Sequence, residues 1–354
     1  MSVRISLSKS DRSFSAAPGQ SVLDAALDAG LNLPHSCKSG NCGSCRARLL
    51  EGEVSYPGGR PLGLSDAETA EGLILLCQAH ARGDLQVEIF EVNTPDQAVV
   101  KRLPCRIEHL RRVSHDVLEV FLRLPAAERF DFHPGQYIDI MLSGGRRRSF
   151  SIASPPHDSR LLELHVRRAA GGEFTERLFA ADMRGALLTI EGPLGHFLYR
   201  PSAPHAGEEA PPMLLVGGGT GLAPLKSILR HVLENGLRRD MTLYWGVRGE
   251  GDLYAHAALA DMAARATSFR YLPVLSEPSA AWEGRRGLVH EAVIGDCGRL
   301  ERFDVYASGP PAMIEAVRRD FRPCGVDESR LYFDSFDYAP DSPARQRRTA
   351  ATRS

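Results

Sequence analysis

The chain has 354 residues, of which 43% are hydrophobic and 25% charged, and its formal net charge is −1. That length calls for two or three domains with separate cores, in an ordinary soluble composition. Near-neutral charge excludes a global field for nucleic acid or membrane, and no apolar run approaches the ~18 residues of a membrane helix.

Met1-Ser-Val-Arg4 opens on strand-like residues with no apolar leader, so the cytoplasm is the expected compartment. Val3-Arg-Ile5-Ser-Leu7 alternates with period two and Arg12-Ser-Phe14-Ser15 returns after a polar turn, which predicts a hairpin. Ser21-Val-Leu-Asp24 has the form of a capping box and opens a helix expected to run through Ala29, with Gly30 at its stop. A strand is expected at 46–51, a second box at Ser65-Asp-Ala-Glu68, an apolar run at 73–77 and a strand at 85–91.

The chemistry of this segment sits in Cys37-Lys-Ser-Gly-Asn-Cys42-Gly-Ser-Cys45, completed far downstream by Cys77. The gaps are those of a plant-type [2Fe–2S] site, C-x4-C-x2-C…C. Three thiolates from one tight loop must reach one small cluster. Gly40 and Gly43 supply the unusual φ values and leave backbone N–H groups for the sulfurs. A zinc site usually pairs two short hooks, and Cys77 stands alone; a disulfide pair suits an exported chain. Cys105, Cys297 and Cys324 have no motif spacing and read as free thiols. Hairpin, helix, loop and strand together resemble the β-grasp fold of plant-type ferredoxins over residues 1–92.

Asn93-Thr-Pro-Asp-Gln97, ahead of Lys101-Arg-Leu-Pro104, reads as a linker. Strand-length runs follow at 117–124, 137–142, 161–166 and 186–191, spaced as in a closed antiparallel barrel, with one helix from Phe174 to Ala180. Within it, the Arg148 guanidinium can grip a pyrophosphate, the Phe150 ring can stack on a flavin, and the Ser149 and Ser151 hydroxyls flank it. Gly172-Glu-Phe-Thr175 offers a turn and a helix N-terminus to a second phosphate. Arg146 and Arg147 are read as solvated neighbours. Arg148-Ser-Phe-Ser151, Pro134-Gly-Gln-Tyr137 and Gly172-Glu-Phe-Thr175, in this order over residues 101–200, resemble the FAD domain of the ferredoxin–NADP reductase superfamily. The resemblance implies a flavin and phosphate contact at Arg148–Ser151 and a ribose and phosphate side lined by His165-Val-Arg167. Phe150 stands where that family usually has Tyr.

Arg200 to Pro212 is a second break, rich in Pro and Ala. Beyond it, strands at 213–216, 241–245, 269–275 and 304–307 alternate with helices at 222–234, 253–266 and 311–321, the order of a doubly wound parallel sheet. Its first turn, Gly217-Gly-Gly219-Thr-Gly221-Leu-Ala-Pro224, is not G-x-G-x-x-G, and Arg248 stands where an acidic ribose ligand would be. Over residues 210–338 this resembles the NAD(P) domain of the same superfamily. The resemblance implies a pyrophosphate at Gly219, Thr220, Gly221 and Pro224, a nicotinamide near Ser308-Gly309-Pro310, and Phe336 covering the flavin, with Phe333 close by as the other aromatic. Ser308 replaces the family's Cys. NADH is implied, and Arg248 leaves NADPH open. The tail, 339–354, reads as disordered.

The whole pattern is similar to iron–sulfur flavoprotein reductases, among them CDP-6-deoxy-glucoseen reductases and the reductase components of aromatic oxygenases. It implies a multidomain enzyme passing electrons from NADH through FAD to a [2Fe–2S] cluster and on to a partner protein, a dehydratase or an oxygenase component. Ser308, Phe336 and Ser151 are the catalytic candidates. A non-catalytic redox sensor could keep the cluster but has little use for intact flavin and nicotinamide segments. The twelve histidines show no oxygenase-type ligand set.

Overall fold

The computed structural model describes residues 2–41, 43–61, 63–89, 99–201 and 210–336. Cys42, the linker at 93–97, most of the second break and the 339–354 tail lie outside them. The chain divides into two compact units, Met1–Val100 with Leu194–Phe197, and Lys101–Pro193 with Leu198–Ser354.

In the first unit, β1 (Val3–Leu7) and β2 (Ser13–Ala16) form the expected hairpin, with Ile5 opposite Phe14. Helix α1 (Val22–Asp28) starts where the Ser21 hydroxyl accepts from the Asp24 N–H at 3.1 Å, and it buries Val22, Leu23, Ala25 and Ala26. After the cysteine loop come β3 (Arg46–Glu51), the short β4 (Val54–Ser55), α2 (Asp66–Ala70), β5 (Leu73–Leu75), β6 (His80–Ala81) and β7 (Leu85–Ile89). At α2 the Ser65–Glu68 capping box is complete. The main sheet runs β2-β1-β7-β3-β5, and Ile5, Phe14, Leu23, Leu75 and Val87 fill the core between it and α1. This is the β-grasp arrangement. The strip Leu194–Phe197 joins this unit through His196, whose N–H donates to the His35 carbonyl at 2.8 Å and whose Nδ1 accepts the His35 N–H at 3.2 Å.

The second unit begins with a strand that the sequence reading passed over, β8 (Lys101–Arg112). Then come β9 (Val117–Arg123), β10 (Tyr137–Met141), β11 (Arg147–Ser151), β12 (Leu161–Arg167), α3 (Glu173–Ala180) and β13 (Leu187–Leu194). The order β11-β10-β13-β8-β9-β12 closes through the Ile152–Leu164 bridge and the Ala153 N–H on the Glu163 carbonyl at 2.7 Å. Ile107, Val120, Leu122, Ile138 and Leu164 fill the barrel.

The same unit continues with β14 (Met213–Gly218), α4 (Leu222–Glu234), β15 (Met241–Val247), α5 (His256–Arg265), β16 (Phe269–Leu275), β17 (Arg285–Arg286), α6 (Val289–Cys297), β18 (Asp304–Gly309), α7 (Pro311–Phe321) and β19 (Leu331–Ser335). All six strands pair in parallel, in the order β17-β16-β15-β14-β18-β19. Helix α5 starts later than residue 253 because a short 3-10 turn, Glu250–Asp252, precedes it. Strands β17 and β19 and helix α6 are additions to the sequence reading. Among the described residues no helix is long and apolar enough to cross a membrane.

Candidate functional site

The described residues of the cysteine loop carry the positive-φ glycines that the sequence predicts. Gly40 and Gly43 take φ of +81° and +76°, and the Ser39 N–H donates to Cys37 Sγ at 3.4 Å. The distant Cys77 is tied to the loop by its neighbours. The Gln78 side-chain amide donates to the Lys38 and Cys77 carbonyls, both at 2.9 Å, and the Leu76 N–H donates to the Cys45 carbonyl at 3.1 Å. Cys45 and Cys77 are buried and Cys37 is half-buried. Burial raises the pKa of the nearby Tyr56 hydroxyl, and Cys45 and Cys77 add to that shift. Thiols on a loop that turns a backbone N–H toward sulfur fit a [2Fe–2S] cluster. Cys42 lies outside the described residues.

On the barrel, Arg148, Ser149, Phe150 and Ser151 lie on β11, beside Asp139, which accepts the Ser149 hydroxyl at 2.5 Å. Arg148 and Phe150 are half-buried, and the Phe150 ring packs on Phe174 at 5.8 Å. Arg146 and Arg147 are not merely solvated; they pair with Glu173 and Glu191, each at 2.6 Å. Gly172 caps α3, Glu173 is exposed in its first turn, and the Thr175 hydroxyl accepts the Ala169 N–H at 3.1 Å, which shapes the loop. A half-buried guanidinium, an aromatic face and a helix start on one barrel fit a flavin nucleotide.

Three of the residues named for this site turn their side chains elsewhere. Val166 and Phe174 belong to the barrel core, and the buried His165 ring lies between Glu163 and Tyr254, at 2.9 Å from each. Glu119, Glu163 and His165 cluster closely enough to suggest a cation, but Arg111 and Lys226 already supply the counter-charge to the two glutamates. Arg167 pairs with Asp116 at 3.2 Å. Its guanidinium lies 3.1 Å from where a Cβ on Gly219 would stand, against the nucleotide turn.

That turn, Gly219–Gly221, runs into α4 with Pro224 buried. Gly219 has φ +55°, and a Cβ on Gly221 would collide with the Ser308 carbonyl, so the turn and the end of β18 are in backbone contact. Thr220 is half-buried at the helix start. Arg248, past the end of β15, is exposed, and its carbonyl accepts the Glu277 N–H at 2.8 Å.

The barrel and the parallel sheet meet at Asp334 on β19, a residue the sequence reading did not single out. Its Oδ2 accepts the Ser151 hydroxyl at 3.3 Å and the Ser308 hydroxyl at 3.4 Å, with Ser308 fully buried and Asp334 6% exposed. An acid inside the apolar run Leu331-Tyr-Phe-Asp-Ser-Phe336 was the signal available for it. One carboxylate thus fixes the two hydroxyls expected at the flavin edge and at the nicotinamide. Phe333 packs into the α/β core under Arg318, whereas Phe336 follows the strand end, its N–H donating to the Gly309 carbonyl at 3.3 Å. Gly309 and Pro310 lead into α7.

A thiol loop on a ferredoxin fold, with flavin and nicotinamide sites meeting on one second unit, defines the class: an iron–sulfur flavoprotein reductase. Comparison with known proteins agrees in each part. Residues 5–82 match the 2Fe-2S iron–sulfur cluster binding domain, 104–199 the oxidoreductase FAD-binding domain and 215–319 the oxidoreductase NAD-binding domain. The chain is 35% identical to the CDP-6-deoxy-L-threo-D-glycero-4-hexulose-3-dehydrase reductase of Yersinia pseudotuberculosis, covering 95% of this chain and 99% of that one. It is 34% identical to reductase component 2 of the terephthalate 1,2-dioxygenase of a Comamonas species, covering 96% and 99%. The crystal structure of the Amycolatopsis cytochrome P450 reductase GcoB superposes with a TM-score of 0.78 at 34% identity, over 95% of this chain and 100% of that one.

The chain belongs to the iron–sulfur flavoprotein reductases of the ferredoxin–NADP reductase superfamily that carry a plant-type [2Fe–2S] domain. It is an NADH-dependent oxidoreductase that transfers electrons through FAD and a [2Fe–2S] cluster to a partner protein.

Proposed function

We propose that the partner is a sugar-nucleotide 3-dehydrase of the kind named for the Yersinia relatives, and that the protein works in the cytoplasm. The end-to-end match to those reductases carries this reading, since it leaves almost none of either chain unaccounted for. A second reading, an aromatic-ring oxygenase component as acceptor, is favoured by the equally complete match to the terephthalate enzyme.

In either case the residue roles are the same. Cys37, Cys42, Cys45 and Cys77 hold the cluster. Arg148 neutralises the flavin's pyrophosphate, Phe150 and Phe336 pack on the isoalloxazine, and the α3 start at Gly172–Thr175 takes a second phosphate contact. Gly219, Thr220, Gly221 and Pro224 present the α4 N-terminus to the nicotinamide nucleotide's pyrophosphate. Arg167, placed against that turn, adds positive charge there. Bound FAD supplies the conversion of one hydride into two single electrons, which the one-electron cluster requires. Ser151 and Ser308, held by Asp334, orient the two rings and exclude water between them.

Anaerobic NADH should bleach the flavin band first and the cluster bands next. Adding a purified dehydrase with its sugar substrate should then sustain NADH oxidation and yield the deoxygenated product. Turnover with an oxygenase component alone would move the assignment to the second reading, and an unbleached flavin would refute both.

A further inference from the structure

One chain of side-chain contacts runs from the flavin barrel to the nucleotide turn. It starts at Glu163 on β12, 5% exposed, whose Oε1 takes Lys226 Nζ at 2.5 Å and His165 Nε2 at 2.9 Å. Burial pushes the Glu163 carboxyl up, but its hydrogen bond and charge interaction with His165, together with Lys226, outweigh this and hold it at about 2. A carboxylate only accepts, so Nε2–H of His165 donates to it and Nδ1 faces the Tyr254 hydroxyl at 2.9 Å. Burial raises the Tyr254 phenol far above its ordinary range, so it stands beside His165 as a neutral hydroxyl. The Tyr254 ring meets Trp245 edge to face, 5.0 Å between centroids at 84°. Trp245 is fully buried, and its indole N–H donates to the Gly219 carbonyl at 2.8 Å.

Gly219 is the first residue of the nucleotide turn, and its carbonyl also takes the Leu222 N–H. A trans peptide is planar, with its C=O and N–H pointing in opposite directions. Fixing the Gly219 carbonyl therefore fixes the Thr220 N–H, one of the donors that a pyrophosphate at this helix start would meet. No residue of the chain His165–Tyr254–Trp245 need touch the nucleotide to do this.

We propose that His165, Tyr254 and Trp245 form a positioning relay through which the flavin barrel sets the direction of the Thr220 N–H, and so the affinity for the nicotinamide nucleotide. The proposal rests on the reading of Gly219–Gly221 as the pyrophosphate turn.

The test uses the FAD-loaded full chain and titrates NAD+, read from the perturbation of the flavin spectrum. Trp245→Phe keeps an aromatic ring, though a smaller one, and removes the N–H, and Tyr254→Phe keeps the ring and removes the hydroxyl. The first should raise the NAD+ Kd by about tenfold, the second by about threefold, and the double variant no further than the first alone. FAD content and the flavin-reduction rate at saturating NADH should stay within about twofold of wild type, a split between binding and chemistry that a general loss of structure would not produce. An unchanged Kd in Trp245→Phe, or single effects that multiply in the double variant, overturns the relay. Thr220→Glu places a negative charge at the turn itself. If it binds NAD+ like wild type, the pyrophosphate reading fails; if it loses NAD+ while both aromatic variants bind normally, the relay alone fails.

Discussion

Replacing Asp334 by Asn tests the point where the two halves of the second unit meet. The carboxylate accepts from Ser151 and Ser308 at 3.3 and 3.4 Å, long for hydroxyl donors. A hydrogen bond to a charged group is worth roughly 1.5–3 kcal/mol at good geometry, so two long ones together amount to about that range. If that energy holds the rings in reacting position, losing it slows hydride transfer by roughly 10–100-fold. Asn keeps one acceptor oxygen, so Asp334→Asn should fall near the tenfold end and Asp334→Ala near the other. The NADH Kd should move by about threefold or less, because the pyrophosphate turn is untouched. Stopped-flow reduction of the flavin under anaerobic conditions, over a range of NADH, separates the two quantities. If FAD-loaded Asp334→Ala reduces its flavin within about twofold of wild type, the carboxylate does not position the reacting groups. Ser308→Cys is the companion change; it restores the family's thiol, and since hydride transfer needs no acid or base here it should shift the same rate by about tenfold or less.

Cys77→Ser removes the one proposed cluster ligand outside the loop. NADH should still reduce small dyes through the flavin, while transfer to cytochrome c falls; equal loss of both in a folded, FAD-loaded variant would place the cluster before the flavin. Arg148→Ala should cost roughly 1.5–3 kcal/mol of FAD binding, one to two decades in affinity, and leave purified protein with depleted FAD but intact cluster absorbance. Acid should destabilise the second unit through Glu163. Its carboxyl titrates at about 2 in the folded protein against an ordinary 4.5, so its contribution is complete above pH 4.5 and is lost as the pH falls toward 2. Urea unfolding across that range should show the loss in wild type and a shallower slope in Glu163→Gln.

What the sequence made legible is what depends on local geometry. The cysteine-loop glycines, the Ser65 box and the glycine turn each specify their backbone within a few residues, and the structure keeps all three. Strand β8 was hidden because Pro104 interrupts a charged run, although it sits within the ladder opposite Thr189. The orientation of His165 was illegible for another reason. From Leu162 to Val166 strand β12 is buried on both faces, so alternation carries no information about which side chains face a ligand. Asp334 was missed because its role depends on Ser151, 183 residues away, and Ser308, 26 residues away. No periodicity links positions that only the tertiary fold brings together.

The strip Leu194–Phe197 gives the ferredoxin part a discontinuous blueprint. The chain completes that unit only after building most of the barrel, then returns to the second unit at Leu198. A gene cut after codon 100 therefore encodes a module lacking the two hydrogen bonds, one through the backbone and one through the imidazole, that His196 makes with the backbone of His35, two positions before Cys37. Anyone exchanging this module for that of another reductase must carry both pieces, because the seam recorded by the linker is not the seam of the folded unit.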